Sequence, residues 1–123
     1  MNSYQTYRDL LVWQRAKDMV KEIYLITNSF PEEEKFGLKN QVRRAAVSVP
    51  SNIAEGYGRR TDCDFVRFLR MASGSLYEMQ TQIIIANELG YIEDTIFSKV
   101  FQDTEEIVKM LRSLIKTINE KNS

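Results

Sequence analysis

The amino-acid sequence predicts an all-α fold, an antiparallel up-down-up-down four-helix bundle. Three observations carry that prediction. Apolar residues recur at three- and four-residue spacing over most of the chain. The breaks between these stretches are short and built around Pro, Gly, Asn and Ser. No stretch alternates apolar and polar residues as a half-buried strand does. A length of 123 residues fits one domain spanning 1–123, and a chain of this size buries well over half of the surface that its unfolded form exposes.

The first helix is expected over residues 8–27, with Trp13, Ala16, Val20, Ile23 and Thr27 down one face. Asn28-Ser29-Phe30-Pro31 ends it. Pro31 suits a first helical position, and Glu32, Glu33 and Glu34 complement the positive end of a helix dipole, so the second helix is placed at 31–57. Gly58 reads as its left-handed stop. Inside this helix, small or apolar residues at 42, 45, 46, 49, 53 and 57 continue straight through Pro50. The proline ring removes one backbone donor and crowds the carbonyl four residues back, so the expected outcome is a kink at Pro50, not an end.

Thr61 followed by Asp64 has the spacing of an N-cap with an acidic partner, placing the third helix at 61–89, with Gly90 ending it. The fourth helix is expected at 93–119, with Phe97, Val100, Phe101, Thr104, Val108, Leu111, Ile115 and Ile118 as its stripe. The polar tail beyond Asn119 is expected to fray. Joints of a few residues make consecutive helices antiparallel neighbours.

The run from Arg43 to Arg60, with Ala45-Ala46 and Ser48-Val49-Pro50-Ser51-Asn52-Ile53-Ala54-Glu55-Gly56-Tyr57-Gly58 between basic flanks, is the most distinctive motif. Together with Leu11-Val12-Trp13-Gln14 and Glu88-Leu89-Gly90-Tyr91-Ile92, it resembles the bacterial four-helix-bundle family encoded in intervening sequences of 23S ribosomal RNA genes. The accessory protein of diversity-generating retroelements is similar to that family. The resemblance runs from about Tyr7 to Ile118. It implies a ring-shaped homo-oligomer, a pentamer, and an association with ribosomal RNA or with a retroelement's RNA and reverse transcriptase.

Composition narrows the function. The chain has no histidine, which excludes Ser-His-Asp and Cys-His catalysis, a histidine-ligated zinc, and the Glu-x-x-His di-metal sites of helical bundles. No glycine-rich phosphate loop follows a strand. No enzymatic activity, metal or cofactor is expected. The single cysteine, Cys63, makes no internal disulfide and reads as a small, half-buried residue. No uninterrupted apolar run, Ile83 to Ala86 included, exceeds four residues, far short of a membrane span, and the N-terminus lacks a signal-like apolar segment, so a cytoplasmic protein is expected.

Seventeen basic and seventeen acidic residues cancel overall, but not locally. Residues 35–70 carry eight basic and three acidic side chains, between segments of net negative charge. Lys39, Arg43, Arg44, Arg59, Arg60, Arg67 and Arg70 therefore form the candidate nucleic-acid-binding cluster, because guanidinium groups suit bidentate phosphate contact. The competing reading is a scaffold whose ring organises protein partners and whose arginines form salt bridges between subunits.

The third helix is more apolar than one buried face requires, with 14 apolar residues in the 25 from Phe65 to Leu89. A stripe of Phe65, Leu69, Ala72, Leu76, Met79, Ile83 and Ala86 suffices for the core and leaves Phe68, Met71 and Ile85 on a second face, which points to self-association. Pro50, Ser51, Asn52 and Glu55 belong to the same expected interface, Ser51 or Asn52 also satisfying backbone groups near the proline, and Glu55 pairing with an arginine.

Overall fold

The computed structural model describes residues 6–122. Within them the chain forms α1 (Leu11–Thr27), α2 (Leu38–Tyr57), α3 (Asp62–Glu88) and α4 (Asp94–Lys121), with no strand among the described residues. Each helix packs on its neighbours in sequence, and α4 closes back on α1. The diagonal pairs do not pack, which is the arrangement of an up-down-up-down bundle.

One apolar cluster runs through all four helices. Ile23, Ile53, Leu69, Leu76, Met79, Ile83 and Leu111 are fully buried within it. Three polar residues share the interior. Thr27 donates to the Ile23 carbonyl at 2.7 Å and accepts from Arg43 Nε at 2.8 Å, while Thr104 donates to the Phe101 carbonyl at 2.6 Å and accepts from Gln80 at 2.9 Å. Gln82 is the third; its Nε2 donates to Glu78, and its carbonyl oxygen lacks a partner.

The helix ends differ from expectation in four places, each for a local reason. Tyr7–Asp9 forms a separate 3₁₀ turn, closed by a capping box between Thr6 and Asp9, and the extended backbone of Leu10 separates it from α1. The second helix starts at Leu38 and not at Pro31. Glu32–Glu34 form a 3₁₀ turn instead, Gly37 takes φ −106° and ψ −116°, and the Glu34 side chain caps Leu38 N–H at 3.0 Å. Gly58 is right-handed, at φ −80°, so it is not a left-handed stop. Gly90, at φ 82°, is the left-handed glycine: Tyr91 N–H reaches the Ala86 carbonyl at 2.8 Å and Gly90 N–H the Asn87 carbonyl at 3.0 Å, a Schellman close for α3. Finally, α4 remains helical to Lys121, because Asn122 and Lys121 are both tied to Asp62 at the start of α3.

Two other expectations agree with the structure, the cap at Thr61 and a second helix that Pro50 does not end. Thr61 accepts from Asp64 N–H at 3.1 Å and caps α3, and α2 passes through Pro50 without a break in helical structure.

Candidate nucleic-acid interface

The α2–α3 joint is built on a close approach. A Cβ added at Gly56 would lie 2.6 Å from Phe68 Cβ and 3.1 Å from Phe65 Cδ1, so only glycine lets α3 come this near. The approach buries Phe68, which is 5% exposed and is therefore not on the outer face expected for it. Two guanidinium groups cover its ring, Arg59 at 4.7 Å and Arg67 at 4.6 Å from the centroid. Stacking fixes the planes of these groups and leaves their N–H edges toward solvent. Each has one intrachain carboxylate: Arg59 meets Glu55 at 2.8 Å and Arg67 meets Asp64 at 3.5 Å. Exposed pairs of this spacing contribute only about 0.3–0.5 kcal/mol, so a phosphate can displace them.

Arg70 lies one turn beyond Arg67 on α3 and is exposed. It lines a cavity of about 390 Å³ between α3 and α4, together with Gly74, Tyr77 and Arg112. Arg112 Nη2 donates to the Tyr77 hydroxyl at 3.4 Å. Arg60 borders a second cavity, of about 510 Å³, with Asp62, Cys63 and Asn122. The result is an arc of arginines, Arg59 to Arg67 across Phe68, then Arg70, then Arg112. Neither Arg60 nor Arg70 has a partner among the described residues. The sequence reasoning missed Arg112. Its signal was present, since Arg70 and Arg112 each lie nineteen residues from the Leu89–Glu93 joint, on either side of it, and antiparallel helices bring such positions together.

The rest of the expected basic cluster lies elsewhere. Arg43 sits toward the opposite end of the bundle, where it donates to Thr27 Oγ1, the Tyr24 carbonyl and Asn28 Oδ1, and stacks on the Tyr24 ring at 4.4 Å. It fastens the end of α1 to α2. Lys39 is near the same end, the second residue of α2, and Arg44 is exposed on the outside of that helix.

The expected interface residues also separate. Met71 and Ile85 are exposed on α3 as the sequence indicated. Asn52 donates to the Ser48 carbonyl at 2.8 Å and to Ser48 Oγ, which shares a hydrogen bond with Ser75 across the α2–α3 seam. Pro50 and Ser51 line a groove between α2 and α1, and Glu55 is taken by Arg59. Cys63 is exposed and not half-buried.

Three groups titrate away from their ordinary values. Hydrogen bonds from Lys99 Nζ to Glu22 at 2.6 Å and Asp103 at 2.9 Å hold its ammonium well above the usual lysine range and tie α4 to α1. The hydrogen bond from Asn122, with Lys121 alongside, holds the Asp62 carboxyl down. Desolvation, and donation to Glu34 at 3.1 Å, push the Tyr91 hydroxyl up. Lys99, Glu22 and Asp103 line a cavity of about 150 Å³ between α1 and α4, Asp62 borders the cavity beside Arg60, and Tyr91 lines one with Ile92. No group of three or more His, Cys, Asp or Glu side chains able to hold a metal occurs among the described residues. No described helix is long and apolar enough to cross a membrane.

The model of the 23S rRNA-intervening sequence protein family matches residues 8–113. The chain belongs to this family. A crystal structure at 1.70 Å of a protein of unknown function from the S23 ribosomal protein family, from Bacteroides thetaiotaomicron, has the same fold: TM-score 0.80, 23% identity, covering 86% of this chain and 99% of that one. No protein of curated function matches. Family membership and fold thus agree with the resemblance read from the Arg43–Arg60 motif.

Proposed function

We propose that this member of the family is a non-enzymatic, self-associating accessory protein that binds RNA phosphates through the arginine arc. The observation that carries the reading is the arc itself, in which Phe68 orients Arg59 and Arg67 while Arg70 and Arg112 share one cavity. Tyr77, half exposed between Arg70 and Arg112, adds a face on which an unpaired base can stack. Single-stranded or looped RNA is the ligand class that uses both features. Exposed Met71 and Ile85 on α3 support self-association. A ring multiplies the arc by its copy number, which raises avidity without new contacts. The family resemblance supports reading that ring as a pentamer, its RNA as ribosomal or retroelement-borne, its protein partner as a reverse transcriptase or another protein, and its setting as cytoplasmic.

The test is a titration of labelled single-stranded RNA at several salt concentrations, with R70A/R112A beside the parent chain. Binding should weaken steeply with salt, and the double variant should lower the slope of log affinity against log salt by about 0.7 for each phosphate that is no longer neutralised. Absence of binding at low salt overturns the reading. The scaffold alternative then takes its place.

A further inference from the structure

We infer that a second copy of this chain seats its Phe36 in the groove between α1 and α2. Phe36 is 85% exposed, more than any other large apolar residue described, and only the Lys35 ammonium covers its ring, at 5.5 Å. It is not on a loose loop. Lys35 N–H donates to the Glu32 carbonyl and Gly37 N–H to the Glu34 carbonyl, each at 3.0 Å, and the Glu34 carboxylate takes Leu38 N–H and the Tyr91 hydroxyl. A held turn thus presents a bare phenyl ring to solvent, at a cost that nothing inside the chain offsets.

The groove has the matching shape and sign. It encloses about 350 Å³, with Trp13, Val20, Pro50 and Ala54 as apolar walls, and Lys17 and Lys21 on its rim. Lys21 has no partner among the described residues, and Lys17 reaches only Asp18 at 3.7 Å and the Trp13 ring at 5.6 Å. The knob carries the opposite charge. Glu32 and Glu33 are exposed beside Phe36 and make no ion pair among the described residues. An aromatic anchor in an apolar pocket with complementary charges around it is the usual form of an interface hot spot.

The chain's own Phe36 cannot fill this groove. Phe36 precedes α2, whereas Pro50 stands twelve residues beyond Leu38, which is about 18 Å along a helix axis. The occupant must come from another molecule. Knob and groove are separate patches, so contacts close either reciprocally in a two-fold pair or head-to-tail around a ring.

This inference rests on the self-association half of the proposed function and not on its RNA half. Light scattering and sedimentation velocity on the parent chain, F36A, K17E/K21E, E32K/E33K and the four-fold charge exchange test it, with thermal melts as a control for folding. F36A should weaken association by about thirty-fold or more. Each charge-reversed double should weaken it too, and the four-fold exchange should restore it. Where a charge-reversed chain melts early, a C63S background carrying K35C in one preparation, with Phe36 kept, and V47C in the other gives a second readout: oxidation of the mixture should yield a disulfide-linked heterodimer. A parent that is monomeric at all concentrations overturns both this contact and the self-association reading. A parent that associates while F36A and the exchanges leave it unchanged, or a mixture that forms no cross-link, overturns this contact alone.

Discussion

Phe68 and Phe36 occupy two joints of the same bundle and meet opposite fates. At the α2–α3 joint, Gly56 lets α3 close on α2 and Phe68 is buried beneath Arg59 and Arg67. At the α1–α2 joint, a hydrogen-bonded turn holds Phe36 out, with Lys35 above its ring. The charge around them differs as well, arginines at the first joint and Glu32 to Glu34 at the second. Burial at one joint serves the folded chain. Exposure at the other is what a contact between molecules would use.

The sharpest way to break this comparison is to truncate both rings. Phe68→Ala should cost about 3–5 kcal/mol of stability, the range for a buried phenylalanine. Phe36→Ala should change stability by no more than about 0.5 kcal/mol, because an exposed side chain gives up little on truncation. Urea denaturation of both variants at a concentration where the parent is monomeric isolates the folding term. Equal losses would mean that Phe36 packs within its own chain. Gly56→Ala follows in size, at about 1–3 kcal/mol, since the new methyl must push Phe68 aside. It should also loosen the support under Arg59 and Arg67, a second consequence readable in the salt slope of RNA binding. Gly90→Ala should cost about 1–2 kcal/mol, because φ 82° is strained for any side chain.

Why one joint was legible in the sequence and the other was not follows from the same contrast. Apolar spacing of period 3.6 located all four helices, and Thr61 and Gly90 marked the two ends of α3, because these signals are local. Gly58 has the same residue type as Gly90 at a helix end, yet takes φ −80°, since its N–H bonds to the Ala54 carbonyl and no Schellman close forms. The start of α2 was misplaced at Pro31 because Glu34, which caps Leu38, is also held by Tyr91 on the α3–α4 joint, a contact far away in sequence. Phe68 was assigned to an outer face because its burial depends on Gly56 in another helix. Of the expected arginine site, Arg59, Arg67 and Arg70 were brought together. Arg43 was drawn off to Tyr24 and Asn28, and Arg112 entered through the register of α4 on α3.

The smallest effect expected lies at the edge of the arginine surface, where Asp62 joins the start of α3 to the end of α4. Its carboxyl titrates below its ordinary value of 3.8, chiefly through the hydrogen bond from Asn122 at 2.9 Å, with Lys121 at 3.5 Å assisting. A carboxyl whose pKa is depressed by folding binds protons less well in the native than in the unfolded chain. Its stabilising contribution is therefore fully present above pH 3.8 and is lost as pH falls through the native value. Asn122→Ala removes the main cause of the depression. The melting temperatures of parent and variant should differ by a small, constant amount from neutral pH down to about pH 4 and converge below it. A gap that persists unchanged into strong acid would assign the loss to the Asn122 contact with the Ile118 carbonyl at 2.7 Å instead. That outcome would mean that the hydrogen bond from Asn122 to Asp62 contributes little to holding the end of α4 against the start of α3.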